Sequence, residues 1–106
     1  MKVLTSQVHR MIELVDYQDG SIVSRMLINK KVGSVTLFAF DKEQKLSEHT
    51  APFDALLQVL DGVVEILISG KKHHLSSGEI IIMPANVPHA VKAVEKFKMM
   101  LIMIKA

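Results

Sequence analysis

From Ile22 onward the chain repeats one device: a short apolar run, a turn signal, then another run. The runs cover Ile22 to Asn29, Val32 to Phe40, Ala55 to Leu60, Val63 to Ser69, His73 to Leu75, Ile80 to Met83, His89 to Val94 and Phe97 to Ile104. Between them stand Asp61-Gly62, Ser69-Gly70-Lys71-Lys72, Ser76-Ser77-Gly78-Glu79 and a compact loop from Pro84 to Pro88. Runs this short, broken this often, predict an all-β domain. Asp61-Gly62 reads as a two-residue hairpin turn. A rival reading makes Asp54 to Leu60 a helix capped by Asp54. The run is too short for that, stops at Asp-Gly and is followed by β-branched residues, so a strand is expected.

The strands are apolar on both faces. In Val32 to Phe40, alternation sends Val35, Leu37 and Ala39 one way and Thr36, Phe38 and Phe40 the other. Such a strand is covered on both sides. The expected fold is a small jelly-roll barrel of two antiparallel sheets. One interior cannot hold all of this apolar surface, so an outer face is expected to be buried against a second chain, most simply in a twofold homodimer. A length of 106 residues suits one domain over 1–106. Its least legible part is 1–20, with a mixed run from Val8 to Val15 and a turn from Asp16 to Gly20.

Composition narrows function by exclusion. The absence of Cys excludes disulfides, thiolate metal sites and Cys nucleophiles. The net charge is only +2, the basic residues are scattered and aromatics make up 5%, so no nucleic-acid partner is expected. The longest unbroken apolar run, Met99 to Ile104, is far too short to span a membrane, and no leader-like apolar core opens the chain. A cytoplasmic protein with no membrane partner is the expectation. Neither a Gly-x-Ser-x-Gly elbow nor a phosphate loop is present.

Histidine is the remaining chemistry. His73 and His74 are adjacent, so on a strand they face opposite ways, and they follow a Lys-Lys turn that suggests a solvated rim. His9 lies in the mixed segment. His49 and His89 sit in richer surroundings. The stretch Gly78-Glu79-Ile80-Ile81-Ile82-Met83-Pro84-Ala85-Asn86-Val87-Pro88-His89 resembles the second motif of the cupin family: Gly, five residues, Pro, one residue, Gly, two residues, His, three residues, Asn. Gly78, Pro84 and His89 match. Asn86 replaces a Gly, which is mild because Asn tolerates a left-handed backbone, and Ala93 replaces the Asn. Counting back from Gly62, His49 and Gly62 match the first motif, whereas Glu43, Ala51 and Ala55 stand where that motif has Gly, His and Glu. Together the two motifs run from Glu43 to Ala93, with the spacing of small single-domain cupins.

The resemblance implies a barrel in which three His and one Glu hold a divalent metal, and it implies dimerisation independently. Only His49 and His89 of that ligand set remain. Imidazole suits Fe, Mn, Ni, Cu or Zn, but two imidazoles alone make a poor site. Asp54, Gln58 and Glu48 are nearby third donors, and strand alternation turns each away from the site. Alternation puts Leu57, Val59, His89 and Val91 on the interior face. Ala51 and Ala55 remove bulk as well as charge, which outlines a ligand pocket of His49, Ala51, Ala55, Leu57, His89 and Val91. The competing reading is a filled core, to which the seven Met residues lend themselves. Arg25 is a candidate for holding a ligand carboxylate, or else a solvated strand residue. Two functions stay open: a small-molecule-binding cupin with an incomplete metal-ligand set, and a metal-dependent dioxygenase, isomerase or decarboxylase.

Overall fold

The computed structural model describes residues 4–106. After a 3-10 turn at Met11–Glu13, nine strands follow: β1 (Ile22–Lys30), β2 (Gly33–Phe40), β3 (Lys45–His49), β4 (Phe53–Asp61), β5 (Val63–Ile68), β6 (Lys71–Ser76), β7 (Ile80–Met83), β8 (His89–Ala93) and β9 (Phe97–Lys105). They form two antiparallel sheets, ordered β1-β2-β9-β4-β7 and β3-β8-β5-β6. This is the jelly-roll barrel expected from the run-and-turn pattern. Asp54 to Leu60 lies within β4, so the strand reading holds against the helix.

Two expectations change. Asp61-Gly62 is no hairpin: β4 belongs to one sheet and β5 to the other. Gly62 has φ +80 and forms a corner where the chain changes sheets, and a side chain there would drive into the Lys96 carbonyl oxygen of the neighbouring β8–β9 corner. A tight hairpin does join β5 to β6 through Ser69 and Gly70, both left-handed at φ 50 and 78, which is the backbone a two-residue turn between twisted strands requires. The second change is β3. Lys45–His49 has one apolar residue, Leu46, and its hydrophobic pattern is too weak to announce a strand. It forms because β8 offers it an unpaired edge.

The barrel interior is filled. Phe40, Leu57, Val59, Val64, Ile66 and Phe97 are wholly buried in one cluster, and the rings of Phe40 and Phe97 pack at 4.6 Å between centroids. Burial of each such side chain stabilises the fold by about 1.5–3 kcal/mol. The two-faced reading of β2 is correct: Phe38 and Phe40 join this interior, while Leu37 and Ala39 join a second cluster outside the sheet.

That second cluster is closed by the N-terminal segment. Val15 is buried against Leu37 and Ala39, with Met11, Leu14 and Tyr17 beside it. Two cations pin the segment from beneath. Lys98 donates from Nζ to the Ile12 carbonyl at 2.7 Å, and Arg25 donates from Nη1 to the Leu14 carbonyl at 3.0 Å. These satisfy carbonyls at the end of the 3-10 turn, where no helix continues to accept for them. Arg25 therefore faces this outer layer and is no carboxylate holder in the barrel.

Candidate functional site

His49 and His89 come together. They are directly opposed where β3 pairs with β8, and their rings pack edge to face with centroids 4.3 Å apart. The register slips between Leu46 and His49, so Ser47 and Glu48 form an irregularity in β3 just before the site. Such bulges bend an edge strand and re-aim its side chains. His89 is fixed from the other side. Pro84 ends β7, and Asn86 turns the chain through φ 63, the left-handed conformation expected of the residue replacing Gly. The Asn86 N–H then donates to the Ala51 carbonyl at 2.8 Å, and the Ser69 N–H to the Pro88 carbonyl at 2.9 Å.

The imidazoles are held alike. Each Nδ1 meets the carbonyl oxygen two residues earlier: His49 that of Ser47 at 2.8 Å, His89 that of Val87 at 3.1 Å. A carbonyl can only accept, so both Nδ1 atoms carry the proton. In the neutral ring this leaves Nε2 as a bare lone pair. His49 is exposed and His89 largely buried. Among the described residues no buried side-chain nitrogen or oxygen lacks a partner, so solvent reaches the Nε2 of His89. The pair thus presents two acceptors at the open end of β8.

The remaining proposed pocket residues divide by depth. Ala55, Leu57 and Val91 are buried in the interior cluster, and Ala51 is half-buried on the strand connection. Leu57 and Val91 are part of the packed floor. Of the third-donor candidates, Asp54 is committed elsewhere: its Oδ1 accepts from the Ala85 N–H at 2.9 Å, bracing the loop that delivers His89. Gln58 lies beside Met100 in the register, on the outer face of its sheet, and Glu48 is exposed. Among the described residues no three His, Asp or Glu side chains gather closely enough to hold an ion. With methyl groups at Ala51 and Ala55, the donor set does not fit a firmly held resident metal.

The other histidines are accounted for outside this site. His74 Nε2 lies 3.1 Å from Glu65 Oε1 on the outer face of the four-stranded sheet, and His73 points the other way. The Nε2 of His9 is 3.2 Å from the Leu4 carbonyl. What the sequence did not signal is the pair of carbonyl anchors on Ser47 and Val87, since backbone atoms carry no residue-specific mark.

Comparison with known proteins fits this architecture. The cupin domain family model matches residues 36–105, and the chain belongs to that family. It is similar to a conserved protein of unknown function from Streptococcus pyogenes, with 34% identity, a TM-score of 0.91, and 95% of this chain and 89% of that one covered. It is also similar to a cupin 2 conserved barrel domain protein from Leptotrichia buccalis, with 44% identity and a TM-score of 0.86. That alignment covers 89% of this chain but 46% of the other, so this chain spans just under half of that relative's length. A cupin superfamily protein from Desulfitobacterium hafniense shares the fold at a TM-score of 0.90 and 23% identity, over 95% of this chain and 93% of that one. No curated protein matches the chain. No helix among the described residues is long and apolar enough to cross a membrane.

Proposed function

We propose that this cupin binds a small organic molecule at the mouth of its barrel, using the Nε2 atoms of His49 and His89 as paired hydrogen-bond acceptors and no resident metal. One observation carries the reading: both Nδ1 protons are spent on backbone carbonyls, so two lone pairs are left on rings 4.3 Å apart. Two fixed acceptors suit a ligand with neighbouring hydroxyl or amine donors. Ala51 and Ala55 put methyl groups where the family's motif has a His and a Glu, so neither competes for the two acceptors. The packed floor beneath confines the ligand to the rim, so a small and partly exposed guest fits better than an engulfed one.

The metal-dependent enzyme reading has one observation in its favour. Metal-bound imidazoles commonly have their other ring nitrogen oriented by a carbonyl, as both rings are here. It lacks a third protein donor.

Elemental analysis of untagged protein separates the two, followed by an NMR shift screen with small polyols, amines and hydroxy acids. The expected result is well under one transition metal per chain, with ligand-induced shifts centred on Ala51, His49 and His89. One metal per chain, lost in His49→Ala, overturns the proposal.

A further inference from the structure

One register row crosses the four-stranded sheet at the histidine end. It reads His49 on β3, His89 on β8, Ile68 on β5 and Lys71 on β6, each directly opposed to the next. Directly opposed residues of antiparallel strands share a face, so Lys71 stands on the same side of the sheet as the two imidazoles. Neighbouring strands are about 4.8 Å apart, which puts Lys71 roughly 10 Å across the sheet from His89. Its flexible four-carbon stem lets the ammonium swing towards the rings. Ile68 lies between them, half-buried and packed on the interior cluster. Among the described residues the ion pairs are Arg10 with Glu13 and Glu65 with His74, so no carboxylate occupies the Lys71 ammonium. The row offers two acceptors, an aliphatic patch and a cation, in that order.

The two ends of the barrel also differ in charge. Backbone hydrogen bonds gather four connections at the histidine end: the Lys105 N–H donates to the Val32 carbonyl, Ala106 to Pro52, Asn86 to Ala51 and Ser69 to Pro88. Taken with the strand residue on either side, these connections hold Lys30, Lys31 and Lys71 and no carboxylate. One residue further in, Lys72 stands against Glu48 and Asp54, and Asp54 is spent on the Ala85 N–H. The four connections at the Gly62 end, taken the same way, hold Asp41, Glu43, Asp61, Glu79 and Glu95 against Lys42, Lys45 and Lys96. A positive end raises the local concentration of anions. Both arginines belong to the N-terminal layer, so no guanidinium fork stands at the histidines to grip a phosphate. A single ammonium suits a carboxylate.

The geometry points to a short hydroxycarboxylate as the ligand of the histidine pair, its hydroxyl donating to an Nε2 of His49 or His89, its carbon chain over Ile68 and its carboxylate on the Lys71 ammonium. This ligand class rests on the acceptor-pair reading above and adds to it the charge and length of the guest.

The test is a chemical-shift titration of the full chain, at a pH where both rings are neutral, with three probes: β-hydroxybutyrate, its uncharged methyl ester, and butyrate, which lacks the hydroxyl. β-Hydroxybutyrate is expected to shift His49, His89, Ile68 and Lys71 together, and to bind roughly 5- to 10-fold more tightly than the ester. Butyrate is expected to bind more weakly than the hydroxy acid. Lys71→Gln, at an exposed position that folding tolerates, is expected to erase the preference for acid over ester. Lys72→Gln removes the same charge from the opposite face of the strand and is expected to preserve that preference. An ester that binds as well as the acid, or a preference that survives Lys71→Gln, overturns the anionic ligand and the role of Lys71 while leaving the acceptor pair standing. Equal losses in the two lysine variants also overturn it, because net charge alone then accounts for the preference. Butyrate binding as tightly as the hydroxy acid, or no shift of His49 and His89 with either acid or ester, removes the acceptor pair and the ligand class with it.

Discussion

The Tyr17 hydroxyl donates to Asp61 Oδ2 at 2.6 Å, joining the N-terminal segment to the corner where β4 leaves its sheet. Lys98 and Lys96 lie over the same ring, at 5.1 and 5.7 Å from its centroid. Burial first, and then the bond and charge of Asp61, push the hydroxyl well above its ordinary value of 10.0. The sign of the linkage follows. The folded state keeps the proton where the unfolded chain loses it, so the contribution is complete below pH 10.0 and falls away as pH rises past that value. Tyr17 is the chain's single tyrosine, so its ultraviolet absorbance reports on it alone. A titration of folded protein is expected to show no phenolate step near pH 10, and Tyr17→Phe to flatten the alkaline decline of stability at a cost of up to about 1.5 kcal/mol near neutrality.

The imidazole pair makes a spectroscopic prediction. At a pH where both rings are neutral, nitrogen shifts are expected to place the proton on Nδ1 in His49 and His89. This is the minority tautomer of free histidine in water, so its presence in both rings is diagnostic of the two carbonyl anchors. A proton on Nε2 in either ring would remove the acceptor pair on which the proposed ligand binding rests.

Two left-handed residues predict opposite responses. Glu43 has φ 69 and occupies the position of the first motif's leading Gly. Glu43→Gly is expected to stabilise the protein by about 0.5–1 kcal/mol, because the Cβ strain of roughly 1–2 kcal/mol outweighs the extra chain entropy of glycine. Gly62→Ala adds that strain and a collision with the backbone of Lys96. It is expected to cost more than about 2 kcal/mol and to lower the yield of folded protein. Urea melts of both variants check the pair.

Depth should govern what substitutions at the site do. Leu57 is wholly buried in the interior cluster, and Leu57→Ala is expected to cost about 2–5 kcal/mol. His49 is exposed, so His49→Ala is expected to change stability by less than about 1 kcal/mol while abolishing ligand-induced shifts. A large stability loss in His49→Ala would make that ring a structural strut.

The β-architecture was legible because its signal is repeated: most of the nine strands coincide with an apolar run bounded by Gly, Pro or Asp. The meeting of His49 and His89 was legible from motif spacing alone, and the left-handed turn at Asn86 from residue chemistry. Asp61-Gly62 misled because a tight turn looks the same in sequence whether its flanking strands pair with each other or part to different sheets; only long-range partners decide. β3 stayed hidden because an edge strand with one inward residue needs no hydrophobic pattern. Arg25 and Lys98 could not be placed, since their partners are main-chain carbonyls of a segment whose own periodicity is mixed.

At the Gly62 corner the backbone of Lys96 presses so closely that no side chain fits between, and the β8–β9 turn is tied there to Val63 by the N–H groups of Val94 and Glu95. The histidines stand at the far end of β8. The barrel is therefore closed by main chain at the Gly62 corner, away from the histidines. Substitutions that bear on the proposed ligand site belong at the histidine end, because at the Gly62 end a side chain has only backbone to meet.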